Sequence, residues 1–179
     1  MNELELLEWI KSADARSLQD RLERLKFVRE QHPAENDHLF FGGPIPAQAF
    51  QEMQFCYIHG AYLSCTLAAQ VVLEHLFAAF LEWNGRDDLD GAGFKTLSEV
   101  ALSEALISQS EFDDFERLRR IRNPYTHSKP LMDESCLIRR SAESGCAPHE
   151  LFKEDAQKTL SIVIRLISRH PFAIPSQSP

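Results

Sequence analysis

The chain has 179 residues, 44% of them hydrophobic and 26% charged, with a formal net charge of −8. That length and composition suit one soluble globular domain with a real core and exclude a mainly disordered chain. The acidic balance argues against a binder that grips nucleic acid through a broadly basic surface, and leaves room only for a local basic site.

The apolar period is helical almost throughout. Leu4, Leu7 and Ile10 predict a first short helix, and Leu18, Leu22, Leu25 and Val28 a second that ends near His32-Pro33. The first segment, MNELELLEWIK, is acidic and amphipathic rather than built like a signal peptide, so the cytoplasm is the expected compartment. FFGGPIP (Phe40–Pro46) reads as a turn, with Pro46 opening the next helix.

The longest helical pattern runs from Ala47 to Trp83 and is expected to kink or break near Gly60. Its second half, YLSCTLAAQVVLEHLFAAFLEW, is apolar over most of its circumference. A membrane span needs roughly 20 such residues. Gln70, Glu74, His75 and Glu82 interrupt this one, which favours a central core helix. Cys56 and Cys65 fall in the same region as small hydrophobes, and with Cys136 and Cys146 they form no metal-like spacing.

NGRDDLDGAGF (Asn84–Phe94) is a predicted loop, followed by a short helix over about Thr96–Ile107. Ser110 begins SEFD, a capping signature, and the helix behind it carries Phe112, Phe115, Leu118, Ile121 and Tyr125. Pro124 predicts a kink or an end, because it cannot donate to the Arg120 carbonyl. Residues 128–149 read as a loop or small hairpin, a last helix spans about His149–Arg169, and the tail from Pro171 should fray. The expected fold is an all-α bundle of about five to six helices with a long central pair, one domain over residues 1–170 and a disordered tail over 171–179.

One stretch carries chemistry. RLRRIRNPYTHSKP reverses the sign of the chain locally, with Arg117, Arg119, Arg120, Arg122 and Lys129 and no acidic residue from Arg117 to Met132. Cations favour a helix C-terminus by about 0.3–1 kcal/mol, which accounts for one or two of these arginines. Arginine also grips phosphate bidentately, and histidine titrates near neutral pH. Arg122 and His127 together supply a phosphate grip and a proton shuttle, the minimum for cleaving RNA without a metal. No histidine or carboxylate spacing suggests a metal, and no glycine-rich phosphate loop suggests a nucleotide cofactor.

RNPYTH resembles the R-N-x-x-x-H form of the motif of HEPN domains (higher eukaryotes and prokaryotes nucleotide-binding). The bare spacing is cheap: Arg165 and His170 in RLISRH also fit it. Polar Asn123, the LRRIRN lead-in, the upstream GAYLSCTLAAQVVLEHLF and the downstream KEDAQKTLSIVIRLI extend the resemblance over about Gln48–Ser168.

The resemblance implies a small all-α, dimeric, metal-independent endoribonuclease, of the kind found in toxin and defence systems, with no cofactor. Its partners would be a second copy, an RNA substrate and an antitoxin or regulatory protein, with no membrane. It assigns Arg122 to the scissile phosphate, His127 to general acid-base work, Asn123 to orienting the histidine or binding phosphate, and Glu74 to the same cluster. Arg119, Arg120 and Lys129 would face RNA. The alternative is a non-catalytic module of the same kind that dimerises and binds RNA or a protein. A third reading is an unrelated bundle in which the basic stretch only caps a helix.

Overall fold

A computed structural model describes residues 2–32, 42–89 and 91–168. These form seven α-helices and no strand, so the all-α expectation holds with a higher helix count. The helices are α1 (Glu3–Gln31), α2 (Pro44–Ile58), α3 (Tyr62–Trp83), α4 (Phe94–Ser103), α5 (Gln109–Thr126), α6 (Leu137–Ser144) and α7 (Pro148–Ile167).

The two predicted N-terminal helices are one. KSADARS between them lacks glycine and proline, and the helix bridges it with its own side-chain bonds: Lys11 Nζ to Glu8 at 2.9 Å and Arg21 Nη2 to the Asp14 carbonyl at 3.1 Å. Asn2 and Glu5 cap its start reciprocally. Pro33, Phe40, Phe41, His170 and the tail over 171–179 lie outside the described residues. The next helix opens at Pro44, not Pro46, because Pro44 already has no N–H to satisfy; Pro46 is buried.

The break at Gly60 is present. Gly60 adopts φ +79, and Ala61 N–H reaches back to the Cys56 carbonyl at 2.8 Å, closing α2 before α3 begins. α3 is the central helix. It is long and apolar enough to cross a membrane by length and composition, yet Cys65, Ala69, Val72, Leu73, Leu76, Phe77, Phe80 and Leu81 are spent on the core. It packs against α2, α4, α5 and α7. Phe77 meets Phe115 edge-on at 4.5 Å, and Phe94 sits 5.9 Å and 5.8 Å from those two rings, tying α3, α4 and α5 together.

Three further expectations need correction. The short helix α4 ends at Ser103, since Ala105 turns to φ 56 and stops it before Ile107. The cap of α5 is Ser108, not Ser110: Ser108 N–H donates to Glu111 Oε2 at 2.8 Å and Glu111 N–H to Ser108 Oγ at 3.3 Å. Residues 128–149 are neither loop throughout nor hairpin, because α6 forms there. None of its residues is fully buried; a charge pair holds it, as described below.

Two buried groups give the fold a pH dependence. Burial, above all, pushes the Cys65 thiol from 9.0 up to about 12 and the Tyr57 hydroxyl from 10.0 up to about 12. Both are neutral when protonated, and the folded chain holds those protons more tightly than the unfolded one. Their contribution is therefore complete below pH 9 and lost as pH rises towards 12. The urea midpoint should fall over that window, and less steeply in a Tyr57→Phe, Cys65→Ala variant. An equal fall in the variant would assign the alkaline loss elsewhere.

Candidate functional site

The site begins with the last turn of α5. Pro124 does not end the helix, which continues to Thr126, and His127 caps it with extended backbone and an N–H to the Asn123 carbonyl at 3.0 Å. A proline in a final turn removes one backbone bond near the point where the ladder stops anyway. Tyr125, the next residue, anchors that turn. Its ring packs 5.1 Å from Phe152 of α7, and its hydroxyl donates to Asp155 Oδ2.

Asp155 is 1% exposed and takes a bidentate grip from Arg140 of α6, at 2.7 and 2.8 Å. Asp155 thus joins α5, α6 and α7. Burial first, then the bond to Asp155, holds the Tyr125 hydroxyl well above its ordinary value, so it remains a donor; the same carboxylate raises Arg140.

Arg122 points from α5 to α3. Its Nε donates to Gln70 Oε1, and Gln70 Nε2 donates in turn to Glu74 Oε1 at 2.5 Å. Its Nη1 donates to Thr126 Oγ1 at 3.1 Å and to Asn123 Oδ1 at 3.3 Å. Turned over, the Asn123 amide instead makes two bonds to Arg119, both 3.2 Å, and that orientation satisfies its oxygen and nitrogen better. In either orientation every partner of Arg122 among the described residues is neutral.

Its neighbours differ. Arg117 pairs with Asp114, Arg119 with Glu116 through two bonds of 2.9 and 2.8 Å, and Arg165 with Asp114. The Arg119 guanidinium holds the Glu116 carboxyl below its usual range. Arg119, expected to face RNA, is therefore committed within the chain. Arg120 is exposed and Lys129 half-buried. Arg165 of the second spacing match is occupied by Asp114.

Glu74 joins the cluster only through Gln70, the residue that sequence reasoning passed over as a mere interruption of the apolar helix. Its signal was the i, i+4 spacing of Gln70 and Glu74 on α3. Glu74 also borders an open groove of about 740 Å³ with His75, Glu82, Arg86, Asp87 and Leu97. Arg122 borders a niche of about 10 Å³ with Gln70, Thr66 and Thr159.

His127 is exposed and borders neither. No hydrogen bond joins the side chains of Arg122 and His127 among the described residues, and Asn123 reaches the histidine by its backbone carbonyl alone. One copy thus brings together Arg122, Asn123, Gln70 and Glu74 and leaves the imidazole open to whatever meets the end of α5. No protein-family model, curated protein or solved structure matches this chain.

Proposed function

We propose that the protein is a HEPN-like, metal-independent endoribonuclease that acts as a homodimer, with the ends of two α5 helices facing one cleft. The observation that carries this reading is the environment of Arg122. An arginine fixed by Gln70 and Thr126, with no carboxylate on it among the described residues, keeps a positioned positive charge for an anion. Its Nη2 makes no bond among the described residues, leaving two N–H donors for an anion.

In the proposed reaction His127 of one copy takes the proton from a ribose 2′-hydroxyl. The 2′-oxygen attacks the adjacent phosphorus, the bond from phosphorus to the 5′-oxygen breaks, and His127 of the second copy protonates the leaving oxygen. Arg122 neutralises charge building on the non-bridging oxygens. The products are a 2′,3′-cyclic phosphate and a 5′-hydroxyl. The scheme draws on a second copy because no hydrogen bond joins the Arg122 and His127 side chains of one copy among the described residues.

The test incubates purified protein with RNA in EDTA beside Arg122→Ala and His127→Ala variants, and analyses the ends produced. Cyclic phosphate from the wild type, lost in both variants, is the expected result. Equal cleavage by all three, or none by the wild type across varied RNAs, contradicts it. The absence of a direct Arg122–His127 bond favours the non-catalytic module as the second reading. Its sign is RNA or protein binding that survives His127→Ala without turnover.

A further inference from the structure

α1 carries an apolar stripe that the fold leaves uncovered. The helix is tied to the body near its C-terminal end, where Arg24 donates to the Ile58 carbonyl at 2.7 Å, Phe27 packs 5.5 Å from Tyr57, and Val28 is buried. Residues 2–12 are all exposed. Of its 29 residues only Val28 is buried. An unsupported helical arm of this length is marginal in water, because most helical stability in proteins comes from packing an amphipathic face.

At 100° per residue, Leu4, Leu7, Leu18, Leu22 and Leu25 fall within an arc of about 60°. They are 74%, 46%, 63%, 42% and 38% exposed, respectively. The stripe is broken in the middle by two charges of opposite sign, Lys11 and Asp14, whose side chains are each 61% exposed. In heptad terms Leu4, Lys11 and Leu18 occupy one core position, and Leu7, Asp14 and Arg21 the other.

That pattern is self-complementary in one direction only. Antiparallel helices set the first core position of one against the second of the other. Centred between Ser12 and Ala13, this puts Leu7 against Leu18 and Lys11 against Asp14, twice over by symmetry. The outer layers set Leu4 against the aliphatic stem of Arg21, beside Leu22. A parallel pair in register would instead oppose Lys11 to Lys11 and Asp14 to Asp14. We infer that α1 is a self-association arm whose occupant is α1 of a second copy of this chain, packed antiparallel through the Leu4–Leu22 stripe with Lys11 paired to Asp14 across the two-fold.

The inference does not rest on the ribonuclease reading, since it uses no residue of the Arg122 cluster. It is tested by sedimentation equilibrium on the full chain and on Lys11→Asp, Asp14→Lys and the double exchange. Each single change sets like charges together in both central layers and should weaken self-association about tenfold or more, equivalent to about 1.4 kcal/mol. The double exchange should restore it to within about threefold of wild type.

All four positions of the test lie on an exposed surface, and far-UV circular dichroism checks that the fold persists. A second variant, Leu7→Glu with Leu18→Glu, should give a monomer. Four results overturn the inference: a wild-type monomer at the highest soluble concentration, single exchanges without effect, a double exchange as weak as the singles, or a dimer that survives the leucine changes. A monomer whose α1 binds lipid vesicles would assign the stripe to a membrane surface, again against the inference. RNA cleavage measured alongside separates the two proposals: self-association that follows the charge exchanges with no cleavage by the wild type contradicts only the ribonuclease reading, and cleavage with self-association indifferent to the exchanges contradicts only this inference.

Discussion

Replacing Asp155 by alanine is expected to destabilise the protein by about 3–5 kcal/mol, the range for removing one partner of a buried ion pair. The reason is what it leaves behind. Arg140 loses both of its bonds to the carboxylate, and the Tyr125 hydroxyl loses its acceptor. Only 25% of the Arg140 side chain is exposed, so water can repay little of that loss.

The triad is not an efficient source of net stability, since desolvating two charges costs much of what their attraction returns. An Asp155→Leu, Arg140→Met double change should therefore recover most of the loss. Tyr125→Phe alone should cost about 1 kcal/mol, the usual net worth of one hydrogen bond. Urea unfolding of these proteins, with Asp155→Leu and Arg140→Met alone beside them, checks this. Additive losses in the double variant, rather than recovery, would mean that Asp155 and Arg140 are not coupled.

The same triad matters for the site, because Tyr125 is the residue between Pro124 and Thr126. One carboxylate draws α6 and α7 to the end of α5 and holds the turn that presents His127. Asp155 is thus a positioning residue for the proposed chemistry as well as a structural one.

The second large effect concerns catalysis. His127→Ala should reduce RNA cleavage by about 10²–10⁴, the range for loss of a general acid-base group. Arg122→Ala should reduce it by about 10²–10³, by analogy with removing a donor that stabilises transition-state charge. Arg122→Lys is the informative change. Lysine keeps the charge but has no planar fork, and it cannot hold Gln70 and Thr126 while offering a second pair of donors. It should recover RNA binding more fully than turnover. Gel-based initial rates and binding isotherms measured on the same RNAs separate the two. A lysine variant as active as wild type would show that only charge is needed at this position.

How far these features could be read from the chain depends on the range of the interactions that make them. The helical class, the break at Gly60 and the apolar face of α5 are local, set by period and by a glycine at positive φ. The continuity of α1 was local too, but an apolar period that lapses over KSADARS suggested a gap where good helix formers simply face solvent. α6 escaped because the contact that fixes it, Arg140 with Asp155, joins residues 15 apart in the chain and on different helices.

The basic stretch shows the same division. Arg122 and His127 stand out by type and spacing. Gln70, which fixes the arginine, lies 52 residues away, and nothing in its own neighbourhood says that α3 and α5 bring it there. The commitment of Arg119 to Glu116 is an i, i+3 pair that could have been read directly. Charge in a basic run is not all available charge.

The central claim is that Arg122 and His127 engage the same phosphate. The most direct measurement is the NMR signal of the His127 imidazole during titration with an RNA made uncleavable by 2′-O-methylation, in wild type and in Arg122→Gln. The expected result is a saturable shift of the His127 signal in wild type that is lost or greatly weakened in Arg122→Gln. An unmoved signal in wild type, or the same shift without the arginine, would contradict it.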